Sequence, residues 1–114
     1  LLMKNTKKLK NKEKLKLILM RKFGEKMIFK VEYTEKAKKS IKKLDNSVRM
    51  MIKAWIEKNL VGTSDPRKHG KGLTSNLSGY WRYRVGDYRI LTEIQDDRLI
   101  ILVIEVGHRR DIYK

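Results

Sequence analysis

The side chains able to do chemistry in this chain crowd toward its C-terminal end. The stretch "YWRYRVGDYRI" (80–90) carries Arg82, Arg84 and Arg89, and "VGHRRDIYK" (106–114) adds His108, Arg109, Arg110 and Tyr113. Gly86-Asp87 reads as a two-residue hairpin turn. It sets Val85 opposite Tyr88, Arg84 opposite Arg89, Tyr83 opposite Ile90 and Arg82 opposite Leu91. Alternation then gives Trp81, Tyr83 and Val85 one face with Tyr88, Ile90 and Thr92, and gives the three arginines the other. Cations within cross-strand reach repel one another, so this face calls for counter-charge. Asp87 and Glu93 are the local acids that would provide it as ordinary surface ion pairs. A bound phosphate is the alternative, matched to the guanidinium by bidentate geometry and permanent charge.

Pairing the next strand through Asp96-Asp97 as a second two-residue turn places Ile104 beside Arg89, and the strand runs on into "VGHRRDIYK". His108, Arg109, Arg110 and Tyr113 are therefore expected to leave the sheet near the arginine face. The result is a group of cations, an imidazole and a phenol with no carboxylate pair set for acid–base work. RNA cleavage by attack of a 2′-hydroxyl on the adjacent phosphate needs a base, an acid and a stabiliser of the charge on the phosphorane. Arginines suit the last task. Proton transfer would fall to His108 or Tyr113, and purely structural roles for both stay open on spacing alone. Metal chemistry is disfavoured: His69 and His108 are the only histidines, cysteine is absent and no clustered carboxylates accompany them. No cofactor is expected.

These residues need a sheet and something to back it. "IFKVEYT" (28–34) alternates Ile28 or Phe29, Val31 and Tyr33 against Lys30 and Glu32, as a first strand would. Thr34 suits the N-cap of a helix whose apolar positions are Ala37, Ile41 and Leu44, broken by Asp45-Asn46. Ser47 is the expected cap of a second helix. Its stripe of Val48, Met51, Ile52, Trp55, Ile56 and Leu60 ends near Gly62. Residues 62–79 hold the only proline and four of the seven glycines, a long loop of the kind that carries function. Three strands follow: Tyr80 to Val85, Tyr88 to Gln95 and Arg98 to Val106. The predicted fold is α+β, β-α-α-β-β-β, with two N-terminal helices packed on a mostly antiparallel sheet.

Composition sets the surroundings. The 114 residues carry a net charge of +16, with 40% apolar residues, which suits a single domain with an anionic partner. Half of that charge lies in residues 1–26, which hold ten Lys or Arg against two Glu. This segment is read as a basic extension, disordered or not native to the protein, ahead of a domain spanning 27–114. The longest apolar stretch, "LKLILM" (15–20), is interrupted by lysine and far short of the roughly 20 residues a spanning helix requires. It also lacks a small-residue cleavage site, so no membrane partner is expected and the cytoplasm is the expected location.

The stretch "GKGLTSNLSGYWRYRVGDYRILTEIQDDRLIILVIEVGHRRDIYK" (70–114) resembles the RelE/ParE superfamily of toxins from bacterial type II toxin–antitoxin systems, specifically its RelE-like branch. "YRVGDYRI" and "VGHRRDIY" are the signatures, and the resemblance extends over Met27 to Lys114. It implies a shape similar to small microbial ribonucleases and an mRNA interferase that needs no metal. Such a toxin enters the ribosomal A site, lined by 16S rRNA, cuts the messenger RNA there and is silenced by a cognate antitoxin. Carried over by position, Arg82 stands beside the scissile phosphate, Arg89 and Arg109 bind phosphate and stabilise the transition state, and Tyr113 orients or activates the nucleophile. His108 falls at a position that is histidine in several branches and lysine in others. Thr74 and Tyr80 stand where some members have basic residues, leaving Lys71, Arg84 or Arg110 to compensate in RNA binding. The runner-up is a ParE-like toxin that binds and inhibits DNA gyrase without nuclease activity.

Overall fold

Thr34 begins the helical layer as its sequence position predicts. Its Oγ1 accepts the Ala37 N–H at 3.0 Å, satisfying a first-turn donor that would otherwise lack a partner. The computed structural model describes residues 11–12, 14–15 and 27–112, so most of the basic extension, and Tyr113, lie outside the described residues. In chain order the elements are β1 (Lys30–Tyr33), α1 (Glu35–Lys42), α2 (Asn46–Asn59), β2 (Lys71–Gly72), a 3₁₀ turn (Ser75–Leu77), β3 (Trp81–Val85), β4 (Tyr88–Gln95) and β5 (Ile100–His108).

The strands form one sheet in the order β1-β5-β4-β3-β2, with β1 parallel to β5 and the other neighbours antiparallel. This is the expected α+β arrangement with one strand added: β2 pairs only Lys71 with Arg82 and Gly72 with Trp81. Helix α2 starts at Asn46, with Asp45 in the capping position in place of Ser47. After Asn59 the chain turns through Gly62 at φ 77°, and its end is tied to the start of β1 by Gly62 N–H to Phe29 O (3.0 Å) and Phe29 N–H to Thr63 O (2.8 Å). The two helices cover one sheet face. Ala37, Ile52, Ile56 and Leu60 are buried with Tyr83, Ile90, Ile101, Val103 and Val106 in a single cluster. Each such aliphatic side chain is worth about 1.5–3 kcal/mol when fully buried.

The β3–β4 hairpin has the predicted register, Val85 to Tyr88 through Trp81 to Thr92. The β4–β5 pairing does not. Arg89 faces Gly107, not Ile104. Two features make up the difference. The connection runs over four residues, from Asp96 to a Leu99 in the left-handed region (φ 55°), so pairing resumes at Gln95 with Ile100. A bulge then opens between Leu91 and Thr92, whose partners are Glu105 and Val103, leaving Ile104 as the extra residue. Its released carbonyl accepts the Thr34 hydroxyl at 3.0 Å, and the nearby Val106 N–H donates to Ser40 Oγ at 3.0 Å. Helix α1 is thereby fastened to the irregular part of β5.

Candidate nucleic-acid interface

Lys71, Arg82, Arg84 and Arg89 come together because β2, β3 and β4 are adjacent and in the stated register. Lys71 is opposite Arg82, and Arg84 is opposite Arg89, all on the face away from the helices. The long loop before them is held by the aromatic side chains of β3. Tyr83 Oη donates to Pro66 O at 2.6 Å, and Trp81 Nε1 donates to His69 O at 2.8 Å. Arg67 adds a bidentate pair to Asp96 (2.9 and 2.8 Å) while its guanidinium sits 5.8 Å from the centre of the Trp81 ring. Burial raises the Tyr83 phenol well above its ordinary pKa, which keeps it a donor. Gly70 (φ 85°) lies hard against β3: a Cβ there would meet the Arg82 carbonyl oxygen, with Trp81 Nε1 at 2.6 Å and Tyr83 Cδ1 at 2.9 Å. The loop can therefore approach the cationic strand this closely only with glycine.

The counter-charge expected from Asp87 and Glu93 is not paired with Lys71, Arg82 or Arg84. Asp87 lies 3.9 Å from Arg109, both side chains more than half exposed, and Glu93 accepts from Gln95 Nε2 at 3.0 Å. Among the described residues neither Lys71, Arg82 nor Arg84 enters an ion pair. The Nε of Arg82 is also buried without a hydrogen-bond partner. Arg89 differs: it is buried, and its Nη1 donates to Gly86 O (3.1 Å) and Tyr88 O (3.0 Å), so its head group is fixed near the hairpin turn.

His108 does not join the arginine face. It pairs directly with Tyr88, the two rings edge-on at 5.4 Å between centroids, and Tyr88 belongs to the face that carries Tyr83 and Ile90. The bulge at Ile104 is the cause: it exchanges the faces of every later residue in β5. His108 instead organises the turn after the strand. Its Nδ1 accepts the Arg110 N–H at 3.2 Å, and its carbonyl accepts the N–H of Asp111 (2.8 Å) and Ile112 (3.2 Å). With Nδ1 an acceptor, the neutral imidazole carries its proton on Nε2. Arg109 N–H continues the ladder to Asp87 O at 2.8 Å, and Arg109 and Arg110 are exposed. The turn brings Ile112 back over the arginine face, where its Cδ1 lies 3.6 Å from a Cβ built on Gly107. Tyr113, the other proton-transfer candidate, lies outside the described residues. Trp55 packs against the core as its helical stripe predicts, 5.5 Å from Tyr83, and what sequence reasoning missed is His69, whose ring lies 5.8 Å from that of Trp55 and carries the core out to the loop.

The fold that carries this cationic face has counterparts among known proteins. Residues 31–113 match the family described as ParE toxin of type II toxin-antitoxin system, parDE. Toxin RelG of Mycobacterium tuberculosis is 30% identical over 88 residues, which are 77% of this chain and 99% of that protein. The structure of the toxin-antitoxin complex RelBE2 from Mycobacterium tuberculosis contains a chain similar at a TM-score of 0.66 and 27% identity, covering 74% of this chain and 94% of that one. The intact RelBE toxin-antitoxin complex of E. coli shares the fold at a TM-score of 0.56 and 22% identity, covering 70% of this chain and 95% of that one.

Proposed function

Since the chain belongs to the RelE/ParE superfamily of type II toxin–antitoxin toxins, we propose that it is the ribosome-dependent endoribonuclease of such a system. In this reading it cuts messenger RNA in the A site by 2′-hydroxyl attack. The observation that carries it is the cluster of Lys71, Arg82 and Arg84, cations without ion-pair partners among the described residues, on the face that also holds Arg89. Guanidinium groups fixed before substrate arrives stabilise a developing phosphorane without reorganising, which is where electrostatic catalysis gains most.

In this mechanism Arg82 and Arg89 bind the scissile phosphate and Arg109 joins them from the C-terminal turn. Lys71, Arg84 and Arg110 hold neighbouring phosphates. Tyr113 orients the attacking hydroxyl, as the resemblance implies, and His108 holds the turn that delivers Arg109. The reaction then proceeds with protein groups alone, requiring no metal. A cognate antitoxin binds and silences the toxin, a reading supported by the RelBE2 and RelBE structures of the relatives being toxin-antitoxin complexes. Primer extension on a reporter messenger RNA, with and without translating ribosomes, tests the reading. Cuts at A-site positions that appear only with ribosomes and vanish in Arg89→Ala are expected.

The second reading, a gyrase-binding toxin without nuclease activity, is favoured by the ParE description of the matching family. It is adopted if folded protein arrests growth and inhibits gyrase while no cuts are found.

A further inference from the structure

Beside the outer edge of β3 lies a recess of about 490 Å³ lined by Trp55, His69, Gly70, Lys71, Arg82 and Arg84. It exists because β2 covers only Trp81 and Arg82, leaving the rest of that edge open to α2 and the loop. Its volume falls within the roughly 300–1,000 Å³ range of small-ligand sites. Its two sides differ in chemistry. One is aromatic: a series of rings runs from the core at Tyr83 through Trp55 to half-buried His69 at the recess. The other is cationic, with three side chains that only donate hydrogen bonds, have no ion-pair partners among the described residues and include the sequestered Arg82 Nε.

We propose that this recess is a subsite for one nucleotide of single-stranded RNA, its base stacked against His69 and its phosphate held by Lys71 and Arg84, next to the scissile phosphate that Arg82 binds. Trp55 is a positioning residue. It meets His69 at 68° between ring planes and keeps that ring from yielding when a base is laid on it. A flat ring beside a phosphate is the ligand shape that combines both sides, since every base has a π-face and the phosphate supplies the missing negative charge. The inference rests on the ribonuclease reading for the identity of the ligand as RNA. It adds a second point of attachment, off the scissile phosphate, that sets which nucleotide is placed for cutting.

Titration of the isolated full chain with AMP and with ribose 5-phosphate at one ionic strength separates the base from the charge. AMP is expected to bind about tenfold more tightly or better, the range that stacking on one aromatic side chain confers. It is also expected to shift the NMR signals of the His69 ring and the Trp55 indole. His69→Ala should reduce AMP to the affinity of ribose 5-phosphate, and His69→Phe should restore the difference. Arg84→Ala should weaken both ligands alike. Equal binding of the two ligands, or AMP binding that leaves the wild-type His69 and Trp55 signals in place, overturns the proposal even where a variant fails to fold. The titration needs neither ribosomes nor cleavage, so its failure is distinguishable from failure of the primer-extension test.

Discussion

Replacing Gly70 by alanine tests whether the long loop positions the cationic strand by direct contact. At φ 85° an L-residue costs about 1–2 kcal/mol in backbone strain. The new Cβ also meets the Arg82 carbonyl oxygen, the Trp81 indole nitrogen at 2.6 Å and Tyr83 Cδ1 at 2.9 Å, two of them on backbone or tightly held groups. Relieving that overlap must move the loop off β3 or stretch the Trp81–His69 hydrogen bond, adding about 1–3 kcal/mol. Gly79 is the control: its φ is 97° but nothing lies within 4 Å of its Cβ position, so Gly79→Ala carries only the backbone cost. Urea unfolding should therefore show Gly70→Ala less stable than Gly79→Ala by about 1–3 kcal/mol. Its melting temperature should be lower by about 4–8 °C per kcal/mol. Cleavage should fall in Gly70→Ala and persist in Gly79→Ala at temperatures where both are folded. Equal destabilisation of the two variants would refute the claim that the loop is pressed against Arg82.

Four further outcomes are expected. Tyr83→Phe removes the buried donor to Pro66 O and should cost about 1–3 kcal/mol in denaturant unfolding. The burial that raises the pKa of Tyr83, and of Tyr33 with Glu57 beside it, favours the neutral phenols in the folded state. Their contribution is complete below the unfolded value of about 10 and is lost as pH rises through the elevated folded values, so stability should decline above about pH 10, less steeply in Tyr83→Phe. Thr34→Val removes both the cap to Ala37 and the bond to Ile104 O and should cost about 1–2 kcal/mol by the same unfolding assay. Ribosome binding should weaken with salt, and Lys71→Ala or Arg84→Ala should each lower the log–log slope by about one; unchanged slopes would mean that these cations touch no phosphate.

What could be read from the sequence follows the range of the forces involved. The β3–β4 register was legible because Gly86-Asp87 is a strong local turn and five aromatic or aliphatic residues agree on one face. Thr34 and the helical spacing of Ala37 and Ile41 were legible for the same reason. The β4–β5 register was not. Asp96-Asp97 resembles a two-residue turn, while the closing residue is a leucine in the left-handed region, a conformation imposed by the sheet and against its own preference. β2 has only two residues and exists because β3 offers an edge, so no periodicity announces it. For the site, the grouping of Arg82, Arg84 and Arg89 was legible from alternation. The face of His108 and the engagement of Asp87 and Glu93 elsewhere depend on contacts that no local pattern encodes.

Ile104 acts on β5 as a single inserted letter acts on a reading frame. Upstream of it, Ile101 and Val103 are buried in the core cluster; with it, Val106 is buried there too and Gly107 comes to face Arg89. Were Ile104 drawn into the ladder opposite Leu91 with the upstream pairing kept, Glu105 would fall opposite Ile90 and Val106 opposite Arg89. An acid would then enter the core, and a branched side chain would take the space Gly107 leaves between Arg89 and Ile112. Deleting Ile104 would therefore leave every later residue with the partner it has here, and an alignment with a related chain that lacks the bulge keeps those residues on the right side of the sheet only if it opens a gap at Ile104.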